Sequence, residues 1–177
     1  MKLEGKGPII GMAVAAVIAV GVLVYKLWPE TLPNLVLQDE EGESVTFDSL
    51  RGDKQFMVLA LFLKGCPISE FSVEQLHSNY EAWAQKASFV GLLVAPAAEA
   101  TSYEEDQEIE FPVYGLRSAT DPYAVNELFE KVGSSYGTGA AVYGGTVVVA
   151  DADRTVVKIF EKEELREMPQ QLSALLE

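Results

Sequence analysis

The sequence has a single cysteine and a single histidine in 177 residues. A structural zinc site needs about four Cys or His ligands, and a disulfide within the chain needs a second cysteine. Basic residues are also few, because 13 Lys and Arg stand against 27 Asp and Glu, a net charge of -14. Nucleic-acid binding requires clustered Lys and Arg. We therefore expect no nucleic-acid partner, no metal and no cofactor.

The remaining composition is that of a folded domain with an appendage. Hydrophobic residues make up 49% of the chain and aromatic residues 10%, which is enough to build a core. Residues 1–30 hold three Lys and two Glu, so 10 of the basic and 25 of the acidic residues lie in 31–177. We predict an N-terminal segment, 1–30, followed by one acidic domain, 31–177.

The N-terminal segment has the properties of a membrane anchor. Residues 7–25 include no charged side chain and are mostly Ala, Val, Ile and Gly. As a helix they would extend roughly 28 Å, about the thickness of a bilayer core. Tyr25 ends this run, Lys26 and Trp28 follow it, and such residues are typical of the membrane interface. We predict one N-terminal transmembrane helix that attaches the chain to the lipid bilayer through residues 7–28.

A cleaved signal peptide is the alternative for this segment, because it too has a basic start and an apolar core. Residues 22–26 read VLVYK, without the small residues that precede a cleavage site, which favours a retained anchor. Lys2 and Lys6 precede the span, and only Lys26 follows it closely. The positive-inside rule then predicts a cytoplasmic N-terminus and an extracytoplasmic domain, periplasmic or lumenal, where disulfides can form.

Hydrophobic patterning in 31–177 predicts alternating strands and helices. The run 56–63 suits a strand buried on both faces, the apolar spacing of 67–87 predicts an amphipathic helix, and 88–95 suits a second buried strand. These three form a βαβ unit with parallel strands. Further strands are predicted at 34–38, 44–47, 111–116, 146–150 and 155–160, and further helices at 122–132, after Asp121 as the cap, and at 162–176.

The stretch 96–110 has six acidic residues and no basic one. Its length and charge predict an exposed loop, with a docking surface for a basic partner as the alternative. The order of elements as a whole predicts an α/β domain with a mixed sheet flanked by helices.

One cysteine, Cys66, directly follows the first long buried strand and starts the next helix. With this order of elements, the domain resembles the thioredoxin superfamily, in particular its membrane-anchored redoxins of the peroxiredoxin-like and TlpA/ResA-like types. The resemblance covers nearly all of 31–177 and implies a thioredoxin-like fold with thiol redox chemistry at Cys66. The segments that carry it are 32–35, 47–52, 58–67, 89–94 and 146–153.

The sequence departs from the family at three positions. The redox motif Cys-x-x-Cys reads Cys66-Pro67-Ile68-Ser69, with Ser69 in the position of the resolving cysteine. The family's proline, usually cis, precedes the strand that faces the cysteine; here the stretch 143–146 reads YGGT, with Gly145 in the proline position. Leu63 stands where peroxiredoxins have a peroxide-binding threonine, which disfavours peroxidase activity.

A thiol at a helix N-terminus faces unpaired backbone N–H groups, which favour the thiolate. Lys64 would add to this effect and Glu70 would oppose it. The thiolate would attack a disulfide of a partner, and a second protein or a small thiol would then have to release it. Whether the protein is an enzyme stays open at this point.

Two hypotheses follow. In the first, the chain is a membrane-anchored, extracytoplasmic thioredoxin-like protein that carries out single-cysteine thiol-disulfide exchange through Cys66. In the second, it is a catalytically silent structural or assembly subunit of a larger membrane complex, and Cys66 is a small buried hydrophobic residue. Both predict a protein partner. Gly11, Ala15 and Ala19, along one side of the span, would permit close helix contact in such a complex.

Overall fold

The structure is a computed structural model that describes residues 30–133 and 144–177. The predicted transmembrane helix at 7–28 lies outside the described residues. No described helix combines the length and the hydropathy that crossing a membrane requires. Thr31–Glu177 forms one compact unit.

Seven strands lie within the described ranges, in two sheets. A short antiparallel hairpin of two strands is separate from a five-stranded sheet with the order β5-β4-β3-β6-β7. The strands are β1 (Val36–Gln38), β2 (Ser44–Thr46), β3 (Phe56–Phe62), β4 (Ala87–Leu93), β5 (Val113–Gly115), β6 (Val147–Asp151) and β7 (Val156–Phe160).

The large sheet is mixed, as the sequence predicts. Strand β3 runs parallel to β4, with Phe56 opposite Ala87, and antiparallel to β6, with Phe56 opposite Asp151. Strand β5 extends the parallel side, and β7 extends the antiparallel side as a hairpin with β6. The central strand β3 therefore has neighbours on both edges, which agrees with its continuous apolar sequence.

Helices cover both faces of this sheet. They are α1 (Phe47–Arg51), α2 (Pro67–His77), α3 (Tyr80–Trp83), α4 (Ala97–Asp106), α5 (Pro122–Gly133) and α6 (Met168–Leu176), with short 3-10 helices at Leu116–Ser118 and Glu164–Arg166. The predicted cap of α5 is confirmed, because an Asp121 carboxylate oxygen accepts the Tyr123 N–H at 2.9 Å.

Side chains of β3 alternate between two cores, since successive residues of a strand point to opposite faces. Val58, Ala60 and Phe62 pack with residues of α2, α3, α4 and α6. Met57 and Leu59 pack on the other face with residues of α1, α5 and the β1–β2 hairpin. The mixed sheet flanked by helices is thus confirmed.

One predicted helix is interrupted. The prediction of a continuous helix over 67–87 is wrong, because α2 ends at His77 and a separate turn, α3, follows at Tyr80–Trp83. Ser78 and Asn79 lie at the break, and their side chains donate hydrogen bonds to the carbonyls of Glu74 (2.8 Å) and Gln75 (3.0 Å). Side chains that bond to nearby backbone carbonyls compete with helix continuation.

The acidic stretch is not a loop throughout. The predicted exposed loop at 96–110 contains the helix α4, Ala97–Asp106. Ala100 and Tyr103 are buried in the core, Glu104 is half-buried, and the other acidic side chains of the helix are exposed. Only these two residues of the helix are fully buried, and two apolar residues three apart are too few to distinguish from chance in the sequence.

The last predicted helix also begins later than expected. The stretch 162–176 forms the 3-10 helix Glu164–Arg166 and then α6, which starts at Met168 with Pro169 in its first turn. Proline fits there, because its missing N–H is not needed in a first helical turn.

Candidate functional site

Cys66 lies between the end of β3 and the start of α2, as predicted. It is the N-cap residue of the helix, with extended backbone (φ -93°, ψ 117°), and its side chain makes no capping hydrogen bond. Its carbonyl accepts the N–H of Glu70 at 3.1 Å, which closes the first helical turn. The side chain is half-buried. The thiol therefore stands, partly accessible, at the positive end of the helix.

Ser69, which the resemblance predicts to be in the position of a resolving cysteine, is fully buried in the first turn of α2. Its Oγ accepts the backbone N–H of Leu63 at 3.0 Å. Its carbonyl accepts the hydroxyl of Ser72, also buried, at 2.9 Å. Ser69 thus links the helix to the chain leaving β3, a structural role that needs an oxygen acceptor.

The thiol of Cys66 and the hydroxyl of Ser69 both border a small space at Gly144. A Cβ atom built on Gly144 would lie 3.1 Å from Sγ of Cys66 and 3.2 Å from Oγ of Ser69. Both polar atoms therefore border the volume that a larger side chain would fill. The Ser69 hydroxyl, whose oxygen accepts from Leu63, still has its proton to donate toward this space.

Gly145, which the resemblance predicts to be in the position of a proline, has a backbone that proline cannot adopt. Its φ of +87° lies far from the value near -65° that the proline ring imposes. Its N–H also donates a hydrogen bond to the Leu61 carbonyl at 2.6 Å, and proline has no such donor. A Cβ here would lie 2.5 Å from Cγ2 of Ile68. Glycine is therefore required where α2 packs on the segment leading into β6.

The three predicted site residues, Cys66, Ser69 and Gly145, thus lie in one region, and their chemical roles stay predictions. Tyr143, the first residue of the YGGT stretch, lies outside the described residues. In the part of the chain that the structure describes, no three His, Cys, Asp or Glu side chains converge in a way that could hold a metal ion.

Tyr103 is a residue near this site that the sequence analysis missed. It lies on α4 with its side chain 4% exposed, and its hydroxyl is buried without a hydrogen-bond partner in the described ranges. Burial, together with the negative charges of Glu70 and Cys66, raises its pKa to about 12. Its position could not be read from the sequence, because α4 falls in the stretch predicted to be a loop.

A groove next to the first turn of α2 borders the site on another side. Pro67, Ile68 and Phe71 line it from the helix, and Lys162 and Arg166 line it from the segment after β7. Its volume of about 180 Å³ has room for a side chain of a partner and not for a folded domain. The groove therefore combines an apolar wall from the first turn of α2 with two cations from the segment after β7.

Comparison with known proteins identifies the fold. No protein-family model and no curated protein matches the sequence. Among solved structures, peroxidoxin BcpB from Mycobacterium tuberculosis is similar, with a TM-score of 0.60, 16% identity, and 84% of this chain and 97% of that chain covered.

Two further structures agree. The thioredoxin domain of a thiol-disulfide oxidoreductase from Bacteroides vulgatus has a TM-score of 0.62 and 14% identity over 84% of this chain and 97% of its own. A thiol:disulfide interchange protein from a Bacteroides species has a TM-score of 0.62 and 13% identity over 84% and 89%. The domain therefore has a thioredoxin-like fold, as the sequence resemblance predicted.

Proposed function

We propose that this chain is a membrane-anchored, extracytoplasmic protein that exchanges disulfides with partner proteins through the single thiol of Cys66. The observation that carries the proposal is the position of Cys66, half-buried at the N-cap of α2, with its sulfur bordering the small space at Gly144 that the Ser69 hydroxyl also borders. Similar structures named thiol-disulfide oxidoreductase and thiol:disulfide interchange protein support it.

In the proposed reaction, the Cys66 thiolate attacks one sulfur of a partner's disulfide. A new S–S bond forms between Cys66 and that sulfur, the partner's S–S bond breaks, and its other sulfur leaves as a thiolate. With no second cysteine in the chain, the mixed disulfide persists until an external thiol attacks it, either on another protein or on a small molecule. A long-lived mixed disulfide is the feature that an experiment can trap.

The proposal includes the location of the protein at a membrane. Residues 7–28 would span the bilayer, with the N-terminus in the cytoplasm, and residues 31–177 would lie in the periplasm or a lumen. The support is the uncharged run and the distribution of lysines in the sequence. Partner disulfides are available in such a compartment.

The test is a mild-detergent pull-down of the full chain after acid quenching and thiol alkylation, with Cys66→Ser as the comparison. We expect covalent partner complexes that dissociate on reduction and are missing in C66S. Ser72→Cys in the C66S background is the control, because it places a thiol in the same helix at a fully buried position. Complexes that form equally with that control would contradict exchange at Cys66.

The second candidate is a structural or assembly subunit of a membrane complex that has lost catalysis. The observation that favours it is Ser69, which occupies the resolving position as a fully buried, hydrogen-bonded residue. This candidate predicts stable, non-covalent co-purification with a membrane complex that C66S leaves intact. Purification as a lone monomer in both forms would count against it.

A further inference from the structure

The groove next to the first turn of α2 differs in charge from the rest of the domain. Lys162 and Arg166 line it, and none of the described residues in its wall is acidic. Residues 31–177 as a whole hold 10 basic and 25 acidic side chains. The segment that supplies the two cations is itself acidic, because 161–167 also includes four glutamates. The fold therefore brings both positive side chains of this segment into the groove and none of its negative ones.

Both cations are free to bind a ligand. Their side chains are exposed, and neither forms an ion pair or a hydrogen bond with another residue in the described part of the chain. Glu164, which lies two residues from each of them in the sequence, is instead paired with Lys158 at 2.9 Å. Two unpaired cations that line one groove favour a negatively charged ligand.

The other wall of the groove is apolar. Pro67 is exposed, while Ile68 and Phe71 are half-buried and pack in part on the core. Their remaining surface lines the groove, whose volume of about 180 Å³ has room for a side chain. Because removing apolar surface from water stabilises a complex, a ligand with an apolar side chain would gain from contact with this wall.

Pro67 connects the groove to the candidate reactive residue. It is the first residue of α2 and is bonded directly to Cys66, the N-cap, so the groove begins one residue after the cysteine in the chain. A partner whose disulfide meets Cys66 has further residues on either side of its own cysteine. An extended chain advances about 3.3 Å per residue, and residues two apart project to the same side. Such a partner can therefore place two side chains in the groove together.

We propose that the groove binds an extended segment of the partner protein in which an apolar residue and an acidic residue are two positions apart. The apolar side chain contacts Ile68 and Phe71, and the carboxylate pairs with Lys162 and Arg166. This inference rests on the proposed function, because it names the class of partner whose disulfide would be exchanged. A carboxylate suits the site, since a guanidinium binds it through two parallel hydrogen bonds. A long polyanion suits it less, because the many acidic residues of 31–177 repel it.

The experiment measures binding of a short peptide by fluorescence anisotropy to the full chain in nonionic detergent. The chain carries Cys66→Ser so that no covalent bond forms, and the peptide carries an uncharged fluorophore. The peptide holds one phenylalanine and, two positions on, one glutamate, among glycine and serine; in two comparison peptides glutamine replaces the glutamate or glycine replaces the phenylalanine. At about 0.15 M salt the Debye length is about 8 Å, so repulsion from distant acidic groups is screened. We expect the parent peptide to bind about tenfold more tightly than either comparison peptide.

Removing the two cations should abolish the preference for glutamate. The double variant Lys162→Gln, Arg166→Gln should bind the glutamate and glutamine peptides equally, with an unchanged melting temperature, because both positions are exposed. Lys86→Gln, Arg117→Gln is the matched control, since it removes the same charge from two exposed positions outside the groove. The control should keep the tenfold preference. If it loses the preference equally, net charge and not the groove decides binding, and the inference is overturned.

The outcomes separate the inference from the proposed function. Equal or undetectable binding of the three peptides, while wild type still forms trapped covalent complexes, would overturn the inference and leave the proposed function standing. Selective peptide binding without trapped complexes would overturn the proposed function and leave the groove as a docking surface. Two other occupants would also overturn the inference. They are a short-chain anionic phospholipid that binds more tightly than the peptide, and a second copy of the chain, seen as a wild-type dimer that dissociates in K162Q/R166Q.

Discussion

Oγ of Ser69 accepts the backbone N–H of Leu63 at 3.0 Å, and this bond ties the first turn of α2 to the chain leaving β3. Both partners lie within four residues of Cys66 in the sequence. The bond therefore holds the segment that carries the thiol, whether or not the thiol reacts.

Removing this acceptor should cost stability. Ser69→Ala leaves the Leu63 N–H without its partner at a site where Ser69 is fully buried. We expect the free energy of unfolding to fall by about 1–3 kcal/mol, measured by urea denaturation. Ser78→Ala is the control, because Ser78 also bonds to backbone, at 2.8 Å from the Glu74 carbonyl, but is exposed. An equal fall in the free energy of unfolding of the two variants would show that burial of the hydrogen bond to Leu63 adds nothing to stability.

Restoring a cysteine at position 69 should create a redox pair. Ser69→Cys places a second thiol at the third residue of α2, one turn from Cys66. We expect an internal disulfide after mild oxidation, and fewer trapped complexes with partners, because the new thiol can release Cys66. Thiol counting and mass spectrometry before and after reduction measure both effects. Ser72→Cys, two turns from the cap, should keep both thiols free under the same oxidation.

A side chain at Gly145 should be strongly destabilising. Gly145→Ala must hold a Cβ at a φ of +87° and only 2.5 Å from Cγ2 of Ile68. We expect the free energy of unfolding to fall by about 3 kcal/mol, from backbone strain and overlap together. Gly42→Ala is matched for strain alone, since Gly42 has a φ of +81° and nothing within 4 Å of the added atom. Its expected loss is about 1 kcal/mol. A similar loss at both positions would exclude the contact with Ile68 as a cause.

Glu104 should make stability depend on pH in weakly acidic solution. Desolvation raises the pKa of this carboxyl above its ordinary 4.5, opposed by the hydrogen bond from the Val113 N–H and aided by the charge of Glu105. Because the folded state binds this proton more tightly than the unfolded state does, Glu104 contributes its full stabilisation below pH 4.5. That stabilisation is lost as the pH rises through the pKa of the folded state. The difference between wild type and a variant at position 104 isolates the contribution of this one carboxyl.

Thermal melts of wild type and Glu104→Gln from pH 4 to 7 test this effect. The amide keeps an acceptor for the Val113 N–H and cannot ionise. We therefore expect E104Q to gain stability relative to wild type as the pH rises above 4.5. Glu99→Gln, at an exposed position on the same helix, is the control and should show no comparable gain. A wild-type minus E104Q difference that is constant with pH would contradict the prediction.

Much of the architecture was predictable because it depends on local pattern. The apolar run that forms β3 and the Asp121 cap of α5 each depend on residues adjacent in the chain, and so does the placement of Cys66 at a helix start. The break after His77 was missed, because Ser78 and Asn79 act through side-chain bonds that no apolar spacing reveals. Helix α4 was missed because its acidic residues masked a buried face of only a few residues.

By itself, the sequence determined that the domain has one thiol and where that thiol stands relative to strand and helix. The family resemblance predicts, in addition, that a serine and a glycine stand where a cysteine and a proline are usual. Only the tertiary structure decided why the glycine is required, since the contact of Gly145 with Ile68 joins residues 77 positions apart. The same holds for Tyr103, whose ring packs on Phe62 of β3 from helix α4. Packing of the helices on the sheet creates these contacts, and residues distant in the chain carry no local signal of it.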